Sequence, residues 1–271
     1  MGLAARGRAG YVAGMDHAAA LSACADRVER GDPDRFLATM AAPPEARGAL
    51  FALQAFNLEL ARAPWASKEP LIARMRLQYW RDVLEGENAD AHEIAPPLLA
   101  LVAGNRVDRA LLMRMIDARE AEIGTRAPFA DEAALWAYLK DGAGALMAAS
   151  VMALGGPPSA AAEALGAAQG LANYVVAIPA LEAAGRQPLP DGRPEALVRL
   201  AEDGLNRLTE ARRALRSLPR GARPALLAAW RAKSLLEQVR RDPARVAAGT
   251  LGHSEFRRRG SLLWSVLSGR I

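Results

Sequence analysis

The chain has 271 residues, of which 51% are hydrophobic and 24% charged, so it can bury a sizeable core. This composition excludes an intrinsically disordered chain and a collagen-like chain. Its 35 basic and 30 acidic residues give a net charge of +5 with both signs scattered along the sequence, which favours a mixed solvated surface and no nucleic-acid partner. Abundant Ala and Leu, with only 5% aromatic residues, predict an all-α fold.

Helical periodicity and the placement of Pro and Gly divide the chain into eleven helical segments and a tail. The segments are 15–30, 33–40, 45–63, 70–85, 96–103, 106–123, 132–154, 159–184, 194–217, 222–240 and 242–248. Residues 155–158 read Gly-Gly-Pro-Pro, and four residues are typical of a turn between helices rather than a domain linker. We therefore expect one helical domain over residues 15–255.

The two ends of the chain carry separate expectations. Residues 1–14 hold two arginines and no continuous apolar core, so they are predicted to be disordered or to precede a true start at Met15. In the tail, 256–271, Arg257, Arg258 and Arg259 precede Leu262, Leu263 and Trp264. This basic amphipathic pattern fits either an anionic membrane surface or a terminal helix that packs on its own core.

The cysteine count and the hydropathy of the sequence indicate the cellular compartment. The single Cys24 excludes an internal disulfide framework and fits a reducing compartment. No apolar stretch approaches the roughly 20 residues that span a bilayer, because charged residues, Gly or Pro interrupt each one. We expect a cytoplasmic protein, and a peripheral position at the inner membrane stays open.

Classical metal and phosphate motifs are missing from the sequence. His17, His92 and His253 are far apart, and no Gly-rich phosphate loop is present. The one acidic pair spaced by four residues is Asp191 and Glu195, with a proline between them. The sequence therefore predicts no metal site of its own.

Two acidic pairs at a spacing of three could share a cation. These are Asp82 with Glu85 and Asp117 with Glu120. Arg81 and Arg119 lie beside them in sequence, so structural ion pairing is the favoured interpretation.

Several strings resemble one family in sequence and spacing. They are "DPDRFLATMAAPPEARGALFALQAFNLELARA", "EPLIARMRLQYWRD", "IDARE" and "LGAAQGLANYVVAIPALEAAGRQPLP", and they cover about residues 32–190. Together they resemble the squalene/phytoene synthase family, and "RLQYWRD" with the "GR..LP" ending is the most specific part. The "AFN.E.A" and "MRLQYWRD" strings are most similar to the branch that contains the mitochondrial complex I assembly factor.

The resemblance implies an all-α isoprenoid synthase fold, a single-domain helical bundle around a central cavity. Active members join two prenyl diphosphates head to head. Two facing Asp-x-x-x-Asp motifs hold the Mg²⁺ ions that neutralise the leaving diphosphate, because carboxylates four apart share one helix face.

In this chain the four motif positions are Ala61, Trp65, Ala177 and Leu181, so the resemblance implies no catalytic carboxylate and no metal ligand. Glu59 lies on the first motif helix, and if it faces inward we expect Arg76 or Arg81 as its partner. The candidate cavity or binding residues are Asn57, Glu59, Arg76, Gln78, Arg81, Tyr138, Asn173, Tyr174 and Arg186.

Two functions follow from the resemblance. The favoured one is a non-catalytic lipid- or protein-binding factor, with a role in respiratory complex I assembly. Its candidate partners are an isoprenoid or other lipid, a respiratory-chain protein and a membrane surface contacted by Arg257, Arg258 and Arg259. The alternative is an active phytoene or squalene synthase-type prenyltransferase in isoprenoid or carotenoid synthesis, which would require Mg²⁺; the favoured function requires no cofactor.

Overall fold

The computed structural model describes residues 17–67, 69–87 and 92–269; the predictions for 1–14 and for a start at Met15 lie outside them. Every regular element in these ranges is helical, which confirms the all-α prediction. The helices are α1 (His17–Gly31), α2 (Pro33–Met40), α3 (Pro44–Arg62), α4 (Pro70–Glu85), α5 (Ala95–Ala103), α6 (Arg109–Glu120), α7 (Glu132–Leu139), α8 (Ala145–Ala153), α9 (Ala160–Ala183), α10 (Pro194–Ala214), α11 (Ala232–Arg241), α12 (Ala244–Ala247) and α13 (Glu255–Ser268).

Helix starts follow the capping chemistry of the sequence. Asp32 accepts a hydrogen bond from the Arg35 amide at 3.0 Å, and Pro33 occupies the first helical position of α2. Ser159 caps α9 in the same way, through the Ala162 amide at 3.1 Å. These caps place both helices within one or two residues of their predicted starts.

The predicted continuous helix over 132–154 is wrong in its middle. A π-helical turn, Lys140–Gly144, separates α7 from α8. A Cβ atom at Gly144 would lie 2.8 Å from the Glu163 carbonyl oxygen, and one at Gly166 would lie 2.5 Å from the Ala143 carbonyl oxygen. The glycines therefore let α9 approach the π-turn backbone more closely than side chains would permit.

The predicted α-helix over 222–240 is also wrong at its start. Residues Arg220–Ala229 form a 3₁₀ helix, and α11 begins only at Ala232. Pro224 lies inside the 3₁₀ segment and cannot donate a backbone hydrogen bond, which accounts for the irregular winding.

Helix α8 joins two hydrophobic cores. Its Met147 and Val151 pack into a core built mainly by α9, α10 and α11. Its Leu146 and Ala149 pack into a second core built by α1, α3, α4, α5 and α6. One helix buried on two faces thus makes the described chain a single bundle.

Helix α9 is long and apolar enough, by length and composition, to cross a membrane; in the described residues it is the one helix that meets this test. This corrects the expectation that no stretch approaches that length. The helix packs against α8, α10, α11 and the π-turn, and 56% of its most apolar window is buried. Packing within the bundle accounts for its apolar composition.

Candidate functional site

The four motif positions lie at the C-terminal ends of α3 and α9, which we call the motif end. Ala61 is in the last turn of α3 and is half-buried, and Trp65 follows in a 3₁₀ turn, 42% exposed. Ala177 is exposed and Leu181 half-buried in the last turns of α9. Alanine, tryptophan and leucine side chains offer no oxygen ligand, so these positions do not fit Mg²⁺.

Arg186 covers the motif end. Its guanidinium carbon lies 4.7 Å from the centroid of the Trp65 ring. Its Nη1 atom donates to the backbone carbonyls of Glu122 and Thr125, each at 2.6 Å. The predicted candidate Arg186 therefore contacts Trp65, one of the four motif positions. Its guanidinium also fixes the loop after α6 through the two backbone carbonyls.

The loop that carries Arg186 is fixed on both sides. Gly185 adopts a positive φ of 79° at the end of α9, which glycine tolerates without strain. The Arg126 side chain donates to the Gly185 carbonyl at 2.8 Å, and the Gln187 amide donates to the Arg126 carbonyl at 2.7 Å. This pairing holds the end of α9 against the loop that follows α6.

Below the motif end, Arg119, Glu122 and Tyr138 form a closed polar cluster. The Tyr138 hydroxyl donates to Glu122 Oε1 at 2.6 Å, Arg119 Nη1 donates to the same oxygen at 2.8 Å, and Arg119 also contacts the Tyr138 oxygen. Burial raises the pKa of Tyr138 well above its usual value. Burial lowers the pKa of Arg119, but Tyr138 and Glu122 outweigh it and the pKa is raised overall. Tyr138 is therefore neutral and Arg119 charged across the physiological range.

Tyr174 extends this cluster with an aromatic contact. The ring centroids of Tyr138 and Tyr174 are 6.2 Å apart, and Phe129 lies 5.0 Å from the first and 6.0 Å from the second. The Tyr174 hydroxyl donates to the Pro188 carbonyl at 2.9 Å. The predicted candidates Tyr138 and Tyr174 are therefore neighbours, whereas Asn173 is exposed.

A buried polar set lies between α2, α3, α8 and α9. Arg35 Nη1 donates to Gln54 Oε1 at 2.7 Å, and Arg35 Nε lies 3.1 Å from Asp32 Oδ2. Burial lowers the pKa of Arg35, and its amide partner Gln54 is 4% exposed. The space that these two side chains share with Ser150 and Gln169 does not admit a water molecule. Sequence reasoning missed this buried set, because isolated Arg and Gln residues carry no spacing that distinguishes inside from outside.

The predicted partners of Glu59 are wrong. Glu59 pairs with Arg27 of α1, and Arg27 also binds Glu93 at 2.6 Å. The Nε2 atom of His92 lies 3.8 Å from the Glu59 carboxylate. Helix α1 packs along α3 and brings Arg27 to that face. Burial lowers the pKa of His92, against an opposing effect of Glu59.

Arg81 has different partners, on α6. It binds Asp117 at 2.7 Å and Glu120 at 3.0 Å, which confirms the ion-pairing interpretation of that acidic pair. Arg76 is exposed on α4, and exposed Gln78 donates to Asp82 at 2.7 Å. Asn57 is buried within α3. In the described ranges, no group of three or more His, Cys, Asp or Glu side chains is placed to hold a metal ion.

The tail forms α13, which docks through few side chains. Leu262 is buried against Ala38, Leu227 and Trp230. Arg258 faces inward and lies 3.2 Å from Asp34, so it is a structural ion pair and not part of an outer basic surface with Arg257 and Arg259.

Known sequences of one family are similar to this chain. The sequence profile of the squalene/phytoene synthase family matches residues 28–192. Human NADH dehydrogenase (ubiquinone) complex I, assembly factor 6 is 30% identical over 107 residues, which are 38% of this chain and 32% of the human protein. Its Drosophila melanogaster homolog is 33% identical over 188 residues, 65% of this chain and 54% of the fly protein. The chain thus spans about a third of the human relative and about half of the fly relative.

Solved structures show the same fold. A dehydrosqualene synthase crystallised with a ligand superposes with a TM-score of 0.76 at 16% identity, covering 93% of this chain and 97% of that one. Squalene synthase HpnC from Alicyclobacillus acidocaldarius gives 0.67 at 15% identity, covering 86% and 97%. Because the family profile spans more than half of the sequence, the chain belongs to the squalene/phytoene synthase family.

Proposed function

We propose that this chain is a non-catalytic member of its family that acts as a lipid- or protein-binding factor in respiratory complex I assembly, at a membrane surface. The observation that carries the proposal is the motif end: no carboxylate stands at Ala61, Trp65, Ala177 or Leu181, and a guanidinium lies over Trp65. Ionisation of a prenyl diphosphate needs a divalent cation at that place, and these side chains offer it no ligand.

The buried pair of Arg35 and Gln54 supports the same proposal. An isoprenoid substrate needs an apolar tunnel beside its diphosphate site, but charged Arg35 and its partner Gln54 occupy the space between α3, α8 and α9. Opening that space would separate a buried arginine from its hydrogen-bond partner, which is costly. A lipid ligand would therefore not occupy this space.

Exposed apolar side chains supply surfaces for partners. Leu71 and Met75 on α4 are 66% and 63% exposed, and Trp65 lies on the adjoining 3₁₀ turn. Exposed apolar patches of this kind mark interaction surfaces. The complex I assembly factors among the relatives suggest a respiratory-chain protein as the partner of this patch.

The alternative is an active prenyltransferase, and the observation in its favour is the fold likeness to dehydrosqualene and squalene synthases. Incubation of the purified protein with farnesyl and geranylgeranyl diphosphates, Mg²⁺ and NADPH separates the two. We expect no diphosphate release, while a dehydrosqualene synthase run in parallel shows that the assay works. Mg²⁺-dependent turnover would overturn the non-catalytic proposal.

The assembly role has its own test. Deletion of the gene in the organism that encodes it should lower the amount of assembled complex I, and the wild-type chain should restore it. The variant Leu71→Ser/Met75→Ser should restore it poorly, whereas Met40→Ser, at another exposed apolar residue, should restore it fully. Normal complex I after deletion would contradict the role.

A further inference from the structure

A basic groove lies at the other end of the bundle. It encloses about 1190 Å³ between the start of α3, the end of α10, the 3₁₀ segment Arg220–Ala229, α11 and α13. Arg47 in its wall and Ala61 at the motif end are 14 residues apart on α3, which is about 21 Å at 1.5 Å per residue. The groove is thus remote from the family's reaction site.

The lining of this groove is strongly unbalanced in charge. Its basic side chains are Arg47, Arg212, Arg216, Arg220, Arg223 and Lys233. Glu237 is the acidic residue among those that line it, and it lies 3.8 Å from Lys233 and 4.0 Å from Arg241. Across the part of the chain that the structure describes, no carboxylate lies within ion-pair distance of Arg212, Arg216 or Arg220.

The positive charge of Arg212 has no acidic partner, although this side chain is partly buried. Its Nε atom is buried without a hydrogen-bond partner, and burial lowers its pKa with no acidic group to oppose the effect. Arg223, in contrast, uses its donors on the carbonyls of Leu218 and Arg216, each at 3.0 Å. A bound anion would supply the charge and the acceptor that Arg212 lacks.

Helix α13 places an apolar stripe beside the groove. Phe256, Leu263 and Leu267 are 88%, 60% and 75% exposed and share one helix face, at spacings of seven and four residues. Trp264, 65% exposed on the neighbouring face, also lines the groove. Apolar side chains next to uncompensated cations are the pattern of a helix that lies at a membrane interface.

We propose that the groove and the outer face of α13 together bind an anionic phospholipid of a bilayer. The headgroup phosphate lies among Arg212, Arg216 and Arg220, and the α13 stripe enters the acyl boundary. The proposal deepens the membrane part of the proposed function and rests on it. The stripe favours a bilayer over nucleic acid, because the aliphatic Leu263 and Leu267 insert into an acyl layer but add nothing to the base stacking that the rings of Phe256 and Trp264 could offer.

Sedimentation of the full chain with phosphatidylcholine vesicles, with and without phosphatidylglycerol, tests the proposal. We expect binding that requires phosphatidylglycerol. The charge reversal Arg216→Glu/Arg220→Glu should weaken it by about thirtyfold or more, since each basic residue near an anionic bilayer contributes about a fivefold factor. Both residues are exposed, so the fold should persist.

The matched control is Arg74→Glu/Arg109→Glu, which makes the same change of net charge at two exposed arginines outside the groove. It should weaken binding less than about threefold. The stripe variant Leu263→Ser/Leu267→Ser should also lose binding. Equal effects of the groove and control variants would overturn the headgroup site.

The outcomes separate this site from the broader function. Vesicle binding that survives Arg216→Glu/Arg220→Glu but is lost in the stripe variant would overturn the phosphate site alone and leave a peripheral membrane protein. Absence of any binding to phosphatidylglycerol vesicles would overturn both the phosphate site and the proposed position at a membrane surface. Retention of single-stranded RNA instead of vesicles would assign the groove to nucleic acid and overturn the proposal.

Discussion

The two ends of the bundle differ in whether their buried arginines have partners within the chain. At the motif end, Arg119 is matched by Glu122 and Tyr138, and Arg186 by backbone carbonyls. At the groove end, Arg212 is partly buried with no acceptor for its Nε atom. Charge that is compensated within the chain contributes to folding, whereas charge left uncompensated indicates a ligand from outside. We infer a structural role for the buried cations near the motif end and a binding role for Arg212 at the groove end.

The largest expected effect is a difference in the free energy of unfolding between substitutions of Arg119 and Arg212. Arg119→Met should lower the free energy of unfolding by about 3–5 kcal/mol, because it leaves the Glu122 carboxylate without its buried cationic partner. Arg212→Met should change it by less than about 1 kcal/mol, or raise it, because no partner is lost. Urea unfolding of the two variants measures the difference.

A double variant controls for packing. Arg119→Met/Glu122→Met removes both charges and should recover most of the loss. If Arg119→Met and Arg212→Met lower stability equally, the distinction between compensated and uncompensated ends is wrong.

A smaller effect is expected from the hydroxyl of the same cluster. Tyr138→Phe deletes the 2.6 Å hydrogen bond to Glu122 and keeps the aromatic contacts with Phe129 and Tyr174. The free energy of unfolding should fall by about 1–2 kcal/mol, since the carboxylate keeps Arg119. Tyr174→Phe, which removes a bond to a backbone carbonyl, provides the comparison. No loss for Tyr138→Phe would show that Glu122 finds water instead.

Trp65 tests whether the covered motif end depends on the cation–π contact. Trp65→Leu should lower the free energy of unfolding by less than about 1 kcal/mol, because the ring is 42% exposed and Arg186 keeps its two carbonyl acceptors. Thermal unfolding followed by circular dichroism measures it. A loss several times larger would mean that Trp65 holds the end of α9 in place.

The smallest effect is a dependence on pH at His92. Burial lowers its pKa below the usual 6.5. The unfolded chain then takes up a proton more readily than the folded chain, so stability present above pH 6.5 is lost as the pH falls through the lowered pKa. Between about pH 7 and pH 5 the wild type should lose more free energy of unfolding than His92→Gln does. Parallel urea titrations with equal losses would contradict this assignment.

Local signals in the sequence predicted much of the fold. Helical periodicity and the placement of Pro and Gly predicted the bounds of α2, α4 and α9 closely. The π-turn after α7 and the 3₁₀ segment around Pro224 escaped prediction, since the close approach of α9 and the packing of α8 decide them. Long-range contacts have no local signature.

The candidate site was predicted less completely. The absence of carboxylates at Ala61 and Ala177 is a property of the sequence, but the position of Arg186 over Trp65 depends on how the loop after α9 folds back. The pairing of Glu59 was mispredicted because α1, and not α4, packs on that face of α3. The basic groove was missed because its arginines come from segments distant in sequence.

One measurement tests most directly whether the motif end binds Mg²⁺ with a diphosphate: calorimetric titration of the folded protein with a non-hydrolysable prenyl diphosphate analogue, with and without Mg²⁺. We predict the same affinity in both, since Ala61, Trp65, Ala177 and Leu181 offer the cation no oxygen ligand. An affinity that rises by about tenfold or more with Mg²⁺ would contradict this and show that other residues hold the metal at the motif end.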